Sequence, residues 1–219
     1  MGIADKLHQV SRYKLYAPYF FYAPILILIC TAAGLCGKHT VFYVAALLAS
    51  GFLSWGLIEY TVHRFVLHSK QSFLGARLPG NLTHLRHHAR PQEIDRLHVA
   101  LRESIPVSLA YCLLAWLLLG SWQSMVWAYT GMMMGYFLYE CLDLLAHHGA
   151  PRNRLLRYFC RYHLQHHYRD ARARYGVTTP LFDYLFGTFH LEKKAPGRRK
   201  AKGARLDTLS QEVRVSCAS

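Results

Sequence analysis

The sequence has 219 residues, 53% of them hydrophobic and 17% charged, with a formal net charge of +14. This length allows one domain, or one membrane bundle with a polar cap, and the apolar share exceeds that of typical soluble proteins. Because the basic residues flank apolar blocks, anionic lipid headgroups explain the charge better than nucleic acid does, which removes nucleic acid from the expected partners.

Four apolar stretches are long enough for helices that cross the roughly 30 Å hydrocarbon core of a bilayer. Each is apolar all the way round, which favours membrane spans over core helices of a soluble bundle. The sequence therefore predicts an all-α integral membrane protein with four transmembrane helices, at about residues 19–36, 40–60, 104–120 and 122–142.

Lysine and arginine residues indicate the orientation of these helices. They are concentrated near the N-terminus, between the second and third helices and in the tail, whereas the two short loops within the helix pairs carry only Lys38. The positive-inside rule then places both termini and the middle segment in the cytosol. We expect a multi-pass protein with a cytosolic arm at 1–18 and a membrane domain at 19–191. Residues 61–103 and 143–191 form the cytosolic cap of this domain. The basic tail at 192–219 is expected to be disordered or to contact headgroups.

Histidines recur on the side of the chain that this topology places in the cytosol. The pentapeptides HLRHH (84–88) and HLQHH (163–167) carry histidines at positions i, i+3 and i+4, which share one face of a helix. Imidazole is the commonest metal ligand, and each triplet can present three ring nitrogens to one side. These candidate ligands are His84, His87, His88, His163, His166 and His167.

Two further pairs follow the second and fourth predicted spans. His63 and His68 are five residues apart, roughly 140° around an ideal helix, so they converge only if the helix ends or bends between them. His147 and His148 are adjacent and point about 100° apart, so we expect one of them to face a given metal. Asp143 lies four residues before His147 and shares its face.

This set of donors indicates the kind of metal. None of the six cysteines forms a CxxC pair, so a structural zinc site with thiolate ligands is not expected. Ten histidines exceed the roughly four to six ligands of one ion, and nitrogen-rich, thiolate-free donors suit iron. The pattern predicts a dinuclear, iron-type site that activates oxygen. The alternative is a set of surface histidines near lipid headgroups.

Several stretches in this order resemble the motifs of the fatty acid hydroxylase and sterol desaturase superfamily, and of its fatty acid 2-hydroxylase branch in particular. They are EYTVHRFVLH, THLRHH, YECLDLLAHHGAP and YHLQHHYRD, followed by YGVTTPLFDYLFGT. That last segment has no metal ligand but is similar to the one closing the family's catalytic cap, and we expect its Asp183 and Gly187 to cap and turn the last helix. The resemblance covers about residues 59–190. It implies four spanning helices under a cytosolic helical cap, two metal ions (iron in the active enzyme) and oxidation of an unactivated C–H bond by O2.

The resemblance implies nine histidine ligands and leaves one position open. Where that branch usually has a tenth histidine, four residues before His147, this sequence has Asp143. Asp143 could ligate iron, or it could bond a ring N–H of a ligand histidine while His148 serves as the ligand; a damaged site is the third possibility. The ligands implied by the family are His63, His68, His84, His87, His88, His147, His163, His166 and His167.

Other residues near the histidines have expected supporting roles. Glu59 and Glu140 are possible metal ligands or outer carboxylates, because acids buried at a membrane edge are costly and tend to be functional. Tyr136, Phe137 and Tyr139 can line an acyl channel, although aromatic residues at membrane interfaces are ordinary.

The predicted function is hydroxylation of a lipid acyl chain, as in fatty acid 2-hydroxylases, with two iron ions and O2; zinc can occupy such a site in purified protein. The chain leaves no room for a fused haem or flavin domain, so a separate electron-donor protein of haem, ferredoxin or flavin type is expected. A lipid or sterol desaturase, a carotenoid hydroxylase, and a metal-binding membrane protein or pseudoenzyme are the alternatives. The lack of a fused electron carrier and of a retention signal favours a bacterial inner membrane.

Overall fold

A computed structural model describes residues 3–37, 39–68, 79–93 and 99–189. Within these ranges the chain is helical and contains no strand, which confirms the predicted all-α class. The predicted basic tail, 192–219, lies outside the described residues. The helices are α1 (Ile3–Cys36), α2 (Val41–Thr61), α3 (Pro79–Ala89), α4 (Leu101–Leu119), α5 (Trp122–His148), α6 (Arg154–Tyr168) and α7 (Leu181–Leu185), and a π-helical turn (Val62–Leu67) continues α2.

Three helical segments in the described ranges are long and apolar enough to cross a membrane. They are Tyr16–Cys36, Val41–Leu67 and Leu101–Leu119, and they coincide with the first three predicted spans. The fourth predicted span, 122–142, lies within α5, which is 27 residues long but is not among these segments. The glutamine, serine, glycine and tyrosine residues of this stretch lower its mean hydropathy. Because α5 is not among the candidate spans, the topology of four transmembrane helices with a cytosolic cap stays a prediction.

The first helix begins well before its predicted span. Residues 3–18, expected as a separate arm, continue the same helix as the apolar residues that follow. No glycine or proline interrupts residues 3–17, so nothing in the sequence ends a helix there. Pro18 and Pro24 lie inside α1.

Helix α5 forms the centre of the fold and packs against α1, α2, α4 and α6. Its contact with α2 is close because glycines face the other helix's backbone. A Cβ atom at Gly51 would lie 1.9 Å from the Ala128 carbonyl oxygen, and one at Gly131 would lie 2.0 Å from that of Leu48. Gly131 and Gly135 form a GMMMG segment, a small-xxx-small pattern that permits close helix packing in membranes.

The α4–α5 connection sends these two helices in opposite directions. Gly120 ends α4 in the left-handed region, at φ 63°, which costs glycine little. The Ser121 hydroxyl then accepts a hydrogen bond from the Ser124 N–H and caps α5. The N-terminus of α4 and the C-terminus of α5 therefore lie at one end of the bundle, where the chain also leaves α2.

Candidate metal centre

The π-helical turn after α2 brings together two histidines that an α-helix would separate. The His68 N–H donates to the His63 carbonyl oxygen at 3.1 Å, a bond to the fifth preceding residue. This wider turn places residues five apart on the same side, and π-turns are frequent at functional sites. The Nε2 atoms of His63 and His68 lie 3.2 Å apart, so the bend that convergence requires is present.

Five imidazoles meet around one point, and we call them the five-histidine group. One nitrogen of each lies within 4.8 Å of those of the others. Five of the Nε2–Nε2 distances are 3.0 to 3.2 Å. The π-turn supplies two rings, α3 supplies two and α6 supplies one: His63, His68, His84, His88 and His166.

A second set of donors, the mixed group, contains four imidazoles and one carboxylate. Their candidate ligand atoms again lie within 4.8 Å of one another. Asp143 Oδ1 is 2.8 Å from His163 Nε2, 3.4 Å from His147 Nε2 and 3.8 Å from His87 Nε2. Helices α3, α5 and α6 supply its members, which are His87, Asp143, His147, His163 and His167.

Each HxxHH triplet is divided between the two groups. On α3, His84 and His88 join the five-histidine group while His87 joins the mixed group. On α6 the division is reversed, because His163 and His167 join the mixed group and His166 does not. Adjacent positions differ by about 100° around a helix, so one triplet can serve two centres instead of the single side we expected.

Among the ring contacts between the two groups, the shortest is a stack. His88 of the five-histidine group stacks on His167 of the mixed group, with ring centroids 4.0 Å apart and an interplanar angle of 9°. The two groups are therefore in direct contact, as the ligands of a dinuclear site would be.

The donor chemistry of the five-histidine group fits a metal ion. His63 Nδ1 contacts the Tyr175 carbonyl oxygen at 2.5 Å, and His166 Nδ1 contacts that of Ala173 at 2.7 Å. A carbonyl only accepts, so both Nδ1 atoms carry hydrogen and each neutral ring turns an Nε2 lone pair toward the group's centre. Two ligands with bonds of ~2.1 Å at right angles lie about 3.0 Å apart, and tetrahedral ones about 3.4 Å. The observed spacing therefore suits a five- or six-coordinate ion.

Buried polar atoms of the mixed group lead to the same conclusion. Among the described residues, both ring nitrogens of His87 and of His167 are buried without a hydrogen-bond partner. Leaving one such group unsatisfied costs roughly 1–3 kcal/mol, so several together fit a site that binds a cation. An ion at the centre of the mixed group would satisfy one nitrogen of each ring together with the carboxylate.

Burial keeps the rings neutral, which is the form that binds metals. It lowers the pKa of His68 and of His87 to about 4, and that of His166 to about 3. At neutral pH these rings therefore offer lone pairs. Burial opposes ionisation of Asp143 as well, but its polar contacts with His147 and His163 hold the pKa of this carboxyl well below its usual range, so it is anionic.

The other polar candidates lie outside both groups. His148 is exposed, whereas its neighbour His147 is buried in the mixed group, as expected for adjacent helical positions. The Glu59 carboxylate accepts hydrogen bonds from the N–H groups of residues 177 and 178, and the Glu140 carboxylate accepts one from the Val99 N–H at 3.2 Å. Neither carboxylate belongs to the two groups of candidate ligands found among the described residues, and their role at the site stays a prediction.

Asp183, which the sequence predicts to cap the last helix, also organises the neighbouring loop. Asp183 is fully buried and accepts hydrogen bonds from the N–H groups of Tyr175 and Gly176, at 2.8 and 2.7 Å. The only sequence signal was an acidic residue inside an otherwise apolar helix turn. Gly187 turns the chain after α7 at φ 72°, as predicted.

A cavity of about 540 Å³ leads from the helices to the histidines. Its walls are mostly apolar and include Met132 and Met133, while His63, His84 and His87 close one part of it, so both groups contribute to its surface. Tyr136 and Tyr139 also line it, whereas Phe137 is not in its wall and stacks on Tyr19 of α1 instead. The volume is typical of small-molecule sites.

Comparison with known proteins identifies the family. Residues 48–188, which contain both groups and the loop behind them, match the model of the fatty acid hydroxylases. The chain belongs to the fatty acid hydroxylase family. The resemblance inferred from the histidine motifs is thereby confirmed.

Curated relatives include lipid hydroxylases from plants, mammals and fungi. The chain is 33% identical over 150 residues to dihydroceramide fatty acyl 2-hydroxylase FAH2 of Arabidopsis thaliana, covering 66% of this chain and 61% of that protein. It is 29% identical over 157 residues to the fatty acid 2-hydroxylase of Rattus norvegicus, covering 67% of this chain and 40% of that protein. The match thus spans about three fifths of the plant protein and two fifths of the mammalian one.

A solved structure has a similar fold. It is that of full-length scs7p, in which only the hydroxylase domain is visible. The TM-score is 0.67 at 25% identity, over 85% of this chain and 69% of the other. A curated relative of similar name, ceramide very long chain fatty acid hydroxylase SCS7 of Saccharomyces cerevisiae, is 30% identical over 154 residues, covering 67% of this chain and 38% of that protein.

Proposed function

We propose that this chain is a membrane-embedded hydroxylase of lipid acyl chains whose five-histidine group and mixed group each hold one iron ion. The names of the relatives, which specify fatty acyl and ceramide substrates, support the lipid class. In the overall reaction one oxygen atom of O2 enters a C–H bond and the other leaves as water, with two electrons and two protons from a separate donor protein. When bound, the two ions supply the activation of O2 that attack on such a C–H bond requires.

The cavity is the observation that carries this proposal. Its apolar wall begins among residues of the candidate spans, such as Trp55 and Val107, and ends at imidazoles of both groups. A flexible hydrocarbon chain is the kind of molecule that fills such a space, because burial of its methylene groups is favourable and most of the wall is apolar. The depth of the cavity would then select the carbon that lies against His84 and His87.

The chain's own residues have distinct tasks in this proposal. The imidazoles hold the ions as neutral ligands, and Asp143 adds one anionic oxygen to the mixed group. Met132, Met133 and Tyr136, each no more than 2% exposed, keep water away from the reacting carbon. Arg102 and Glu103 stand at the polar end of the cavity wall, where a lipid headgroup would meet them.

The proposal includes the predicted topology. Helix α5 packs against α1, α2 and α4, each of which contains a candidate span, so we propose it as the fourth transmembrane helix. The positive-inside rule then puts both groups on the cytosolic side. The relatives reported above are eukaryotic, so the bacterial inner membrane stays a prediction from sequence alone.

Lipid analysis of cells with and without the protein tests this function. Wild-type protein in a host that lacks such an enzyme should produce membrane lipids heavier by one oxygen atom, and His84→Ala protein should not. Lipids lighter by two hydrogen atoms would instead show a desaturase. No altered lipid from a metal-loaded protein supplied with an electron donor would contradict the proposal and favour a metal-binding protein or pseudoenzyme.

A further inference from the structure

We infer that Asp183 is a positioning residue of the five-histidine group, which it influences through single peptide groups of the loop 173–178. The inference rests on the proposed function in one respect, that the five-histidine group holds a metal ion. Asp183 touches no ring of that group in the hydrogen bonds described. Its effect is carried by backbone groups that bond the carboxylate on one side and an imidazole on the other.

The shortest connection runs through the peptide group between Tyr175 and Gly176. Its N–H, on Gly176, donates to Asp183 Oδ2 at 2.7 Å. Its carbonyl, on Tyr175, accepts from His63 Nδ1 at 2.5 Å. A hydrogen bond at one end of a peptide group polarises it and strengthens the bond at the other end. The negative charge of Asp183 therefore makes the Tyr175 carbonyl a better acceptor, which fixes the His63 ring and raises the basicity of its Nε2.

A second connection ends at the same carboxylate. His166 Nδ1 donates to the Ala173 carbonyl at 2.7 Å, and the N–H of that peptide group, on Arg174, donates to the Thr188 carbonyl at 3.1 Å. The Thr188 hydroxyl donates in turn to Asp183 Oδ1 at 2.7 Å. Arg174 adopts φ 60°, a conformation that non-glycine residues rarely accept, and it turns the chain between these two connections.

The loop is built so that it cannot easily move away from the carboxylate. Gly176 has no room for a side chain, because a Cβ atom there would lie 2.1 Å from the Thr179 carbonyl oxygen. Ala173 and Val177 are at most 1% exposed. Beyond Gly176, Glu59 accepts the N–H groups of residues 177 and 178, so two buried carboxylates hold four consecutive N–H groups.

Glu59 provides the matched comparison because it holds the same loop without reaching a histidine. The carbonyls of the peptide groups that it bonds belong to Gly176 and Val177, and neither bonds an imidazole in the described hydrogen bonds. Replacing either acid with its amide should loosen the loop. Loss of charge at Asp183 alone should reach His63.

Measurements of metal affinity test the inference. The purified full chain is loaded with iron, or with cobalt as a spectroscopic probe, and the affinity is measured by chelator competition. Wild type should bind two ions per chain in two resolved steps. Asp183→Asn should weaken one step by about 10-fold or more, the size reported for outer-sphere partners of metal ligands, and shift the visible spectrum of that cobalt ion. Glu59→Gln should leave both steps and both spectra close to wild type.

The outcomes separate the inference from the proposed function. If wild type binds no metal, the proposed function fails along with it. If wild type binds two ions and Asp183→Asn matches Glu59→Gln in both readouts, Asp183 is merely structural and only the inference is overturned. Should Asp183→Asn fail to fold, Thr188→Val removes one bond to the same carboxylate. It should weaken the same step by a smaller factor that Thr188→Ser restores, and equal affinities in these two variants would likewise overturn the inference.

Discussion

The five-histidine group and the mixed group contain the same number of donors but are supported differently. Two rings of the first, His63 and His166, donate their Nδ1 hydrogens to loop carbonyls. In the mixed group the Nδ1 atoms of all four rings are buried without a partner in the described part of the chain, and the distinguishing feature is the Asp143 carboxylate. Rings of the first group are thus oriented by backbone carbonyls outside it, whereas the second group includes an anion.

Removing one ligand from each group should produce the largest effect. His166→Ala and His147→Ala each leave four donors, and we expect each to lose one of two metal ions and more than about 100-fold of the hydroxylation rate, as essential groups of a site do. Elemental analysis and lipid product assays measure the two quantities. His148→Ala, next to His147 but exposed, is the control and should behave like wild type. Full turnover by His166→Ala would show that the ligand assignment is wrong.

Substitutions of Asp143 should change the metal affinity of the mixed group alone, by a smaller amount. Asp143→Ala should weaken the mixed group's ion by about 10- to 100-fold, because the variant loses an anionic donor and leaves the cation without that charge. Asp143→His should retain two ions per chain. Equal affinity in Asp143→Ala and wild type, measured by chelator titration, would show that Asp143 is not a ligand.

The smallest expected effect is a loss of folding stability at acidic pH, in protein freed of metal. Burial lowers the pKa of His68, His87 and His166 to about 4, 4 and 3, so the unfolded state binds more protons between roughly pH 6.5 and pH 4 and stability falls as pH falls through that window. The unfolding temperature in detergent should therefore decrease from pH 7 to pH 5. His87→Gln should flatten this dependence; a wild-type curve without slope would contradict the buried, neutral state.

The sequence was sufficient for the helices and for the membership of the site. Four apolar blocks predicted the positions of α1, α2, α4 and α5, because hydropathy is a local property. The ten candidates chosen as metal donors, Asp143 included, are the ten that the structure gathers into the two groups. Their role as ligands stays a prediction.

How those donors are divided could not be read from the sequence. Helical spacing puts His84, His87 and His88 on one face, but it does not say that two centres lie against that face. The π-turn depends on one additional residue in the helix after α2, which no spacing rule predicts. The hydrogen bonds of Asp183 with residues 175 and 176 could not be predicted, because only the folded chain brings these groups together.

The close contact of α2 with α5 at Gly51 and Gly131 has a mechanical consequence. Two rings of the five-histidine group stand at the end of α2, while Asp143 and His147 stand on α5, so the packing of these two helices fixes where these four donors lie relative to one another. If a bilayer forced these helices to splay, those donors would move away from the ones on α3 and α6, each of which contributes to both groups. Membrane thickness would then change the geometry of both candidate metal sites.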